Sequence, residues 1–184
     1  GKNAPQMLKD PLKAYLLLGV EAELDAHDPQ QALAAMKGAE LVVAMSPYQH
    51  KAADYAHVLL PIGPFTETAG TYVSTEGRAQ SFSGVVGPLG EARPAWKVLR
   101  VLGNLLGLSG FEHESADQVL REALGDGRIE SRLDNQLKSA PGEAARPASA
   151  GLQRIAEVPI YSADAIVRRS RALQRTHDAA PPVV

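Results

Sequence analysis

Three short apolar runs constrain this chain more than any other feature. They are AYLLLG at 14–19, LVVAM at 41–45 and HVLL at 57–60. Continuous apolar runs of about 4–8 residues mark strands buried on both faces, the pattern of a parallel sheet. Between the first two runs, Asp28, Pro29 and Gln31 supply an N-cap, a proline at the first helical position and a glutamine two residues on. A helix is therefore expected through Leu33, Met36 and Lys37 to Gly38. Between the second and third runs, SPYQ at 46–49 repeats that grammar, and a short helix is expected to about Tyr55. Strand, helix, strand, helix, strand with tight connections gives an α/β fold, a βαβαβ parallel sheet with flanking helices. Ligands of such sheets gather at the carboxyl ends of the strands. Here those ends are Gly19-Val20-Glu21, Ser46-Pro47-Tyr48 and the stretch that begins at His57.

That last stretch, residues 57–86, carries the densest set of special backbone positions. Pro61 stops the third strand, and a loop with Gly63, Pro64 and Gly70 follows. Two β-rich runs, TYVS at 71–74 and QSF at 80–82, meet around Glu76 and Gly77 as a hairpin-like excursion. Gly84, Gly87, Pro88 and Gly90 then form a loop. Pro94 opens a helix through Trp96, Leu99, Leu102 and Leu106 that ends near Gly107. Ser115 and Gln118 form a capping box, so a helix over 117–124 is expected, stopped by Gly125. Ile129, Leu133 and Leu137 mark a further amphipathic helix. Residues 138–151 (KSAPGEAARPASAG) read as a linker, VPIY at 158–161 as a short docking strand, and 163–176 as a basic helix or arm carrying Arg168, Arg169, Arg171 and Arg175. The expected organisation is an α/β domain over 12–110, a helical extension over 111–137, a linker over 138–151 and a C-terminal docking arm over 152–184.

Composition removes several chemistries. The 184-residue chain has a formal net charge of -2 and no cysteine. A near-neutral chain lacks the basic footprint that nucleic acid or an anionic membrane requires. Without cysteine there is no thiolate zinc site, no cysteine-ligated iron–sulfur cluster and no thiol nucleophile. The longest apolar run, 98–108, is broken by Arg100 and Asn104 and is too short to span a bilayer. The chain starts at Gly1 without an initiator methionine, which points to a piece of a longer protein. His27, His50, His57, His113 and His177 fall into no metal-ligand spacing, and no phosphate-binding or nucleophile motif is present. Glutamate at the end of the first strand disfavours a dinucleotide there. Glu67, Glu76 and Arg78 are read as groups that hold two loops in register, through an Arg78 ion pair or hydrogen bonds, rather than as a catalytic pair. Gly103-x-x-x-Gly107 is read as a helix end. No residue is assigned a catalytic, cofactor-binding or metal-binding role.

The run VLLP at 58–61, followed by FTETAGTYVSTEGRAQ at 65–80, resembles a signature of the molybdopterin oxidoreductase superfamily. That signature reads roughly ADVVLP, then E, then GT(F/Y)-x-N-x-EGR-x-Q. The continuation PLGEARPAWKVLR at 88–100, with VPIY at 158–161 and VRR at 167–169, resembles the C-terminal part of the large iron–sulfur subunits of bacterial NADH:quinone oxidoreductases, respiratory complex I. The resemblance runs over about 14–108 and resumes over about 158–176. Ser74 stands where the family usually has Asn. Pterin-binding members continue with a β-rich clamping domain, whereas this chain reads helical after Gln80. The resemblance therefore implies a structural, catalytically silent stretch with no cofactor of its own, within a parent that carries [4Fe-4S] and [2Fe-2S] clusters upstream. It further implies other subunits of the peripheral arm as partners, at the cytoplasmic face of the bacterial inner membrane, with no nucleic acid and no membrane insertion. The same signature also allows the cofactor-pocket domain of a molybdopterin enzyme such as a formate dehydrogenase. A free-standing small-ligand module is a third reading.

Overall fold

Val42, Ala44 and Met45 are at most 1% exposed, and they sit on the central strand of the sheet. That strand, β2 (Leu41–Ser46), pairs in parallel with β1 (Ala14–Leu18) on one side and β3 (Val58–Pro61) on the other. The protein, analysed as a computed structural model, is described over residues 1–125 and 160–179. The architecture is mixed α/β, as the alternation of runs and caps requires.

Register decides which residues meet the helices. Tyr15 lies opposite Val42, and Leu17 opposite Ala44, which in turn lies opposite Leu59. Helix α3 (Pro29–Gly38) contributes Ala32, Ala35 and Met36 to the cluster that includes Tyr15, Val42 and Ala44. Small alanines on the helix let it approach the sheet closely, and Met36, 2% exposed, fills the space between. Asp28 caps the helix as expected, its Oδ1 accepting from Gln31 N at 2.9 Å. Helix α1 (Ala4–Lys9), for which the sequence raises no expectation, is held by a capping box between Asn3 and Gln6. The Tyr15 hydroxyl ties its end to the sheet, accepting from Leu12 N and donating to Met7 O at 2.9 Å each. A one-turn helix, α2 (Ala22–Asp25), follows β1.

Three expectations need correction. First, β1 and β3 are not buried on both faces. Leu16, Leu18 and Val58 are 47%, 46% and 41% exposed. Alternation puts them on the sheet face opposite the α3 cluster. Second, the segment after β2 is not capped by Ser46, which ends the strand. The cap is His50, and only a short 3-10 helix, Lys51–Asp54, follows. Third, Ile160 and Tyr161 open a one-turn helix, α6 (Ile160–Ala163), rather than extending a strand. Of the two forms expected for the basic segment beyond it, helix or arm, the arm is present, as two 3-10 turns, Val167–Arg169 and Leu173–Arg175. It has few apolar residues to define a buried face.

The excursion is an antiparallel hairpin of β4 (Gly70–Val73) and β5 (Ala79–Phe82), closed by a turn in which Gly77 adopts φ +80°. Tyr72 and Phe82 stack across it, with ring centroids 5.2 Å apart. Helix α4 (Ala95–Leu105) ends where Gly107 turns left-handed, at φ +68°. Gly103 faces Phe111 so closely that a Cβ there would lie 2.3 Å from the ring. Helix α5 (Ala116–Leu124) has Ser115 as N-cap and Gly125 at its end, as expected. The chain divides into two compact units, Gly1–Asn135 and Gln136–Val184. The helix expected over 129–137 and the linker over 138–151 lie outside the described residues. Among the described residues no helix is long and apolar enough to cross a membrane.

Candidate functional site

Each parallel strand delivers the chain at the same edge of the sheet, and two of the three exits bring titratable groups together. After β1 the chain continues through Gly19, at φ +63°, to Glu21 and Glu23. After β2 it continues to His50. One ligand atom from each of Glu21, Glu23 and His50 lies within 4.8 Å of the others. This is the one grouping of three metal-competent side chains among the described residues. Sequence spacing does not reveal it, because 27 or more positions separate His50 from the glutamates. The rule that ligands gather at strand ends does point to the place.

The surroundings fix what each group can do. Glu21 is 6% exposed, and its backbone N–H donates to Asp25 Oδ2 at 2.8 Å. Glu23 Oε2 accepts from the Tyr55 hydroxyl at 3.0 Å. Burial, and next that hydrogen bond, push the Tyr55 phenol well above its ordinary pKa, so it stays a donor. His50 Nδ1 accepts from Ala52 N at 3.1 Å, and its Nε2 is shielded from solvent with no hydrogen-bond partner. With Nδ1 accepting, the neutral ring carries its proton on Nε2. A metal-ligating imidazole needs the reverse, a bare ligand nitrogen with the other nitrogen donating. A cation here would thus be held by the carboxylates, and His50 could join only by giving up its cap.

The groups singled out in residues 57–86 do not converge. Glu67 Oε2 accepts from Leu89 N at 3.1 Å, which ties the loop before β4 to the loop after β5. Backbone bonds from Val85 and Val86 N to Thr66 O reinforce that tie. Of the two expected ways of holding these loops, hydrogen bonds are present among the described residues and an Arg78 ion pair to Glu67 or Glu76 is not. Glu76 and Arg78 are both exposed, and among the described residues no ion pair links Arg78 to Glu67 or Glu76. The turn is closed instead by Ser74, whose Oγ accepts from Arg78 N at 3.2 Å. His57 is fixed by sheet geometry, its Nδ1 accepting from Val42 N at 2.9 Å. His113 pairs with Glu122, and neither belongs to the strand-end cluster.

Residues 1–105 match the family model described as Molybdopterin oxidoreductase. The chain is 32% identical over 112 residues to a Bacillus subtilis protein named Probable oxidoreductase YjgC, covering 61% of this chain and 11% of that protein. It is 36% identical over 96 residues to the mitochondrial NADH-ubiquinone oxidoreductase 78 kDa subunit of Neurospora crassa, covering 52% and 12%. A Staphylococcus aureus relative carrying a formate dehydrogenase name is 34% identical over 91 residues, covering 48% and 9%. The chain thus spans about a tenth of the length of these relatives.

Proposed function

The chain belongs to the molybdopterin oxidoreductase family, and from that premise we propose that it is a non-catalytic structural stretch of the iron–sulfur subunit of a bacterial NADH:quinone oxidoreductase. Its relatives are oxidoreductases, one of them an NADH-ubiquinone oxidoreductase subunit at 36% identity. The parent would pass electrons from NADH through iron–sulfur clusters to quinone and couple this to ion translocation. This stretch would serve as scaffold in the peripheral arm, at the cytoplasmic face of the membrane. Residues 152–184 would act as a docking arm to neighbouring subunits.

The observation that carries this reading is the donor set at the strand ends. The family's name implies a molybdenum–pterin group, whose dinucleotide form brings phosphates. Phosphates and carboxylates are both acceptors and both anionic, so Glu21 and Glu23 repel what such a pocket must hold. Lys51, next to His50 in sequence, is exposed. The residues present do not fit the phosphates of that group, and no chemical step is assigned through it. After β5, the elements among the described residues are helices, which fits a scaffold better than a pterin clamp.

The second reading is a cofactor-pocket domain of a formate dehydrogenase, favoured by the Staphylococcus aureus relative at 34% identity. Replacing the cluster in the full-length protein separates the two. Glu21→Gln with His50→Gln should leave NADH oxidation per assembled complex within about twofold of wild type. A loss of about a hundredfold or more with assembly intact would transfer the site to the catalytic machinery.

A further inference from the structure

Helix α4 turns two unlike flanks outward. Its inner side carries Gly103, buried against Phe111. Counting about 3.6 residues per turn, Lys97 and Arg100 line one outer flank while Val98, Val101 and Leu105 line the other. Val101 is 53% exposed and Leu105 is 80% exposed. Together with Arg93 and Glu114, residues 97, 98, 100 and 101 bound an open groove of about 620 Å³. Among the described residues that line it, Arg93, Lys97 and Arg100 stand with one carboxylate, that of Glu114. Arg93 Nη1 is committed to the carbonyls of Gly90 and Ala92, at 3.1 and 2.7 Å, and Lys97 rests over the Trp96 ring. The Arg100 Nε is shielded from solvent and has no hydrogen-bond partner. A desolvated guanidinium N–H without an acceptor is costly, and it leaves the Arg100 charge uncompensated at that nitrogen.

We infer that α4 is a docking ridge for an acidic, apolar-faced helix of a neighbouring protein chain. Its carboxylates would meet Arg100 and Lys97, and its apolar side would lie on Val98, Val101 and Leu105. Charge selects an acidic occupant, because the groove's excess is positive. The apolar strip that runs from the groove wall to Leu105 selects a helix rather than a small anion, since a phosphate would leave Val101 and Leu105 uncovered. The inference rests on reading the chain as part of a multi-subunit assembly, and it is tested separately from the question of cofactor content.

The test uses the full-length protein in its purified complex, with p-benzoylphenylalanine in place of Leu105 and mapping of photo-cross-links by mass spectrometry. The expected product joins position 105 to a helix-forming peptide of another chain that carries at least two Asp or Glu residues. Lys97→Glu combined with Arg100→Gln should lower its yield about tenfold or more. Lys97→Glu alone, at an exposed position, should lower it severalfold without touching the fold. A link within the same polypeptide, a link to a basic peptide, no link at all, or a yield indifferent to both charge variants would overturn the proposal. Molybdenum content bears only on the proposed function, so the two readings fail independently.

Discussion

Between residues 15 and 55 the chain gathers ten buried side chains into one cluster; between residues 63 and 125 Ala92 is the one buried apolar side chain among the described residues. The first region is held by burial. Sheet and helix close over Val42, Ala44 and Met36, and each supports the others. The second region is held by single close approaches and backbone bonds. Gly103 accommodates Phe111, Gly70 accommodates Phe82, Gly84 lies against the Thr68 backbone, and Glu67 reaches Leu89 N. Several of its apolar side chains lie open, with Val85 at 79%, Leu89 at 81% and Leu105 at 80% exposure. Half-buried Leu99, Leu102 and Phe111 stand beside these exposed groups, so the region packs locally without a closed core. The sheet region has its own core, and the 63–125 region rests on local contacts.

Substitutions can break or sharpen that contrast, and the largest effects belong to the core. Met36→Ala and Met45→Ala remove side chains that are 2% and 0% exposed. Each should cost about 2–5 kcal/mol in chemical denaturation of the full-length protein, monitored by a probe in the sheet region. A loss below about 1 kcal/mol would mean that the sheet region has no independent core. Gly103→Ala should cost about 1–3 kcal/mol, because its Cβ would sit 2.3 Å from the Phe111 ring. Pairing it with Phe111→Ala should relieve the clash, and a double mutant no better than additive would show that the contact is not the cause. Asp28→Ala should cost about 1 kcal/mol through the lost N-cap of α3. Arg78→Ala should stay within about 0.5 kcal/mol, since that side chain makes no ion pair with Glu67 or Glu76.

Tyr55 adds a pH dependence to the core side of the comparison. Its folded pKa is raised above the ordinary phenol value of 10.0, chiefly by burial and then by the bond to Glu23. Below that value the phenol is protonated in both states and costs nothing. Above it the unfolded chain releases the proton while the folded chain holds it, so stability falls as pH rises past about 10. Tyr55→Phe should flatten that fall in denaturation curves taken on either side of pH 10. An unchanged slope would assign the alkaline loss to other groups.

The strands were legible because short apolar runs between capped segments admit few other structures, and the hairpin because Glu76-Gly77 marks a turn between β-rich runs. Which strand faces were covered was not legible. AYLLLG reads the same whether or not a helix lies over Leu16 and Leu18, and that depends on tertiary partners. The caps of α3 and α5 could be read from Asp28 and Ser115, whereas Asn3-x-x-Gln6 escaped notice as an amide version of the same box. The strand-end cluster was half legible. Its location follows from the topology, but its membership needed the fold to bring His50 beside Glu21 and Glu23. For Arg78 the sequence left an ion pair and hydrogen bonds open, and only the fold decides for hydrogen bonds, since a charge next to carboxylates in sequence forms no pair with them in space.

The central proposal is that the strand ends carrying Glu21, Glu23 and His50 hold no phosphate-bearing pterin. Elemental and pterin analysis of the purified full-length protein tests it most directly. The account predicts iron without stoichiometric molybdenum or tungsten, and no pterin on acid oxidation. One molybdenum or tungsten with pterin dinucleotide per protein, lost on Glu21→Lys or His50→Glu, would contradict it.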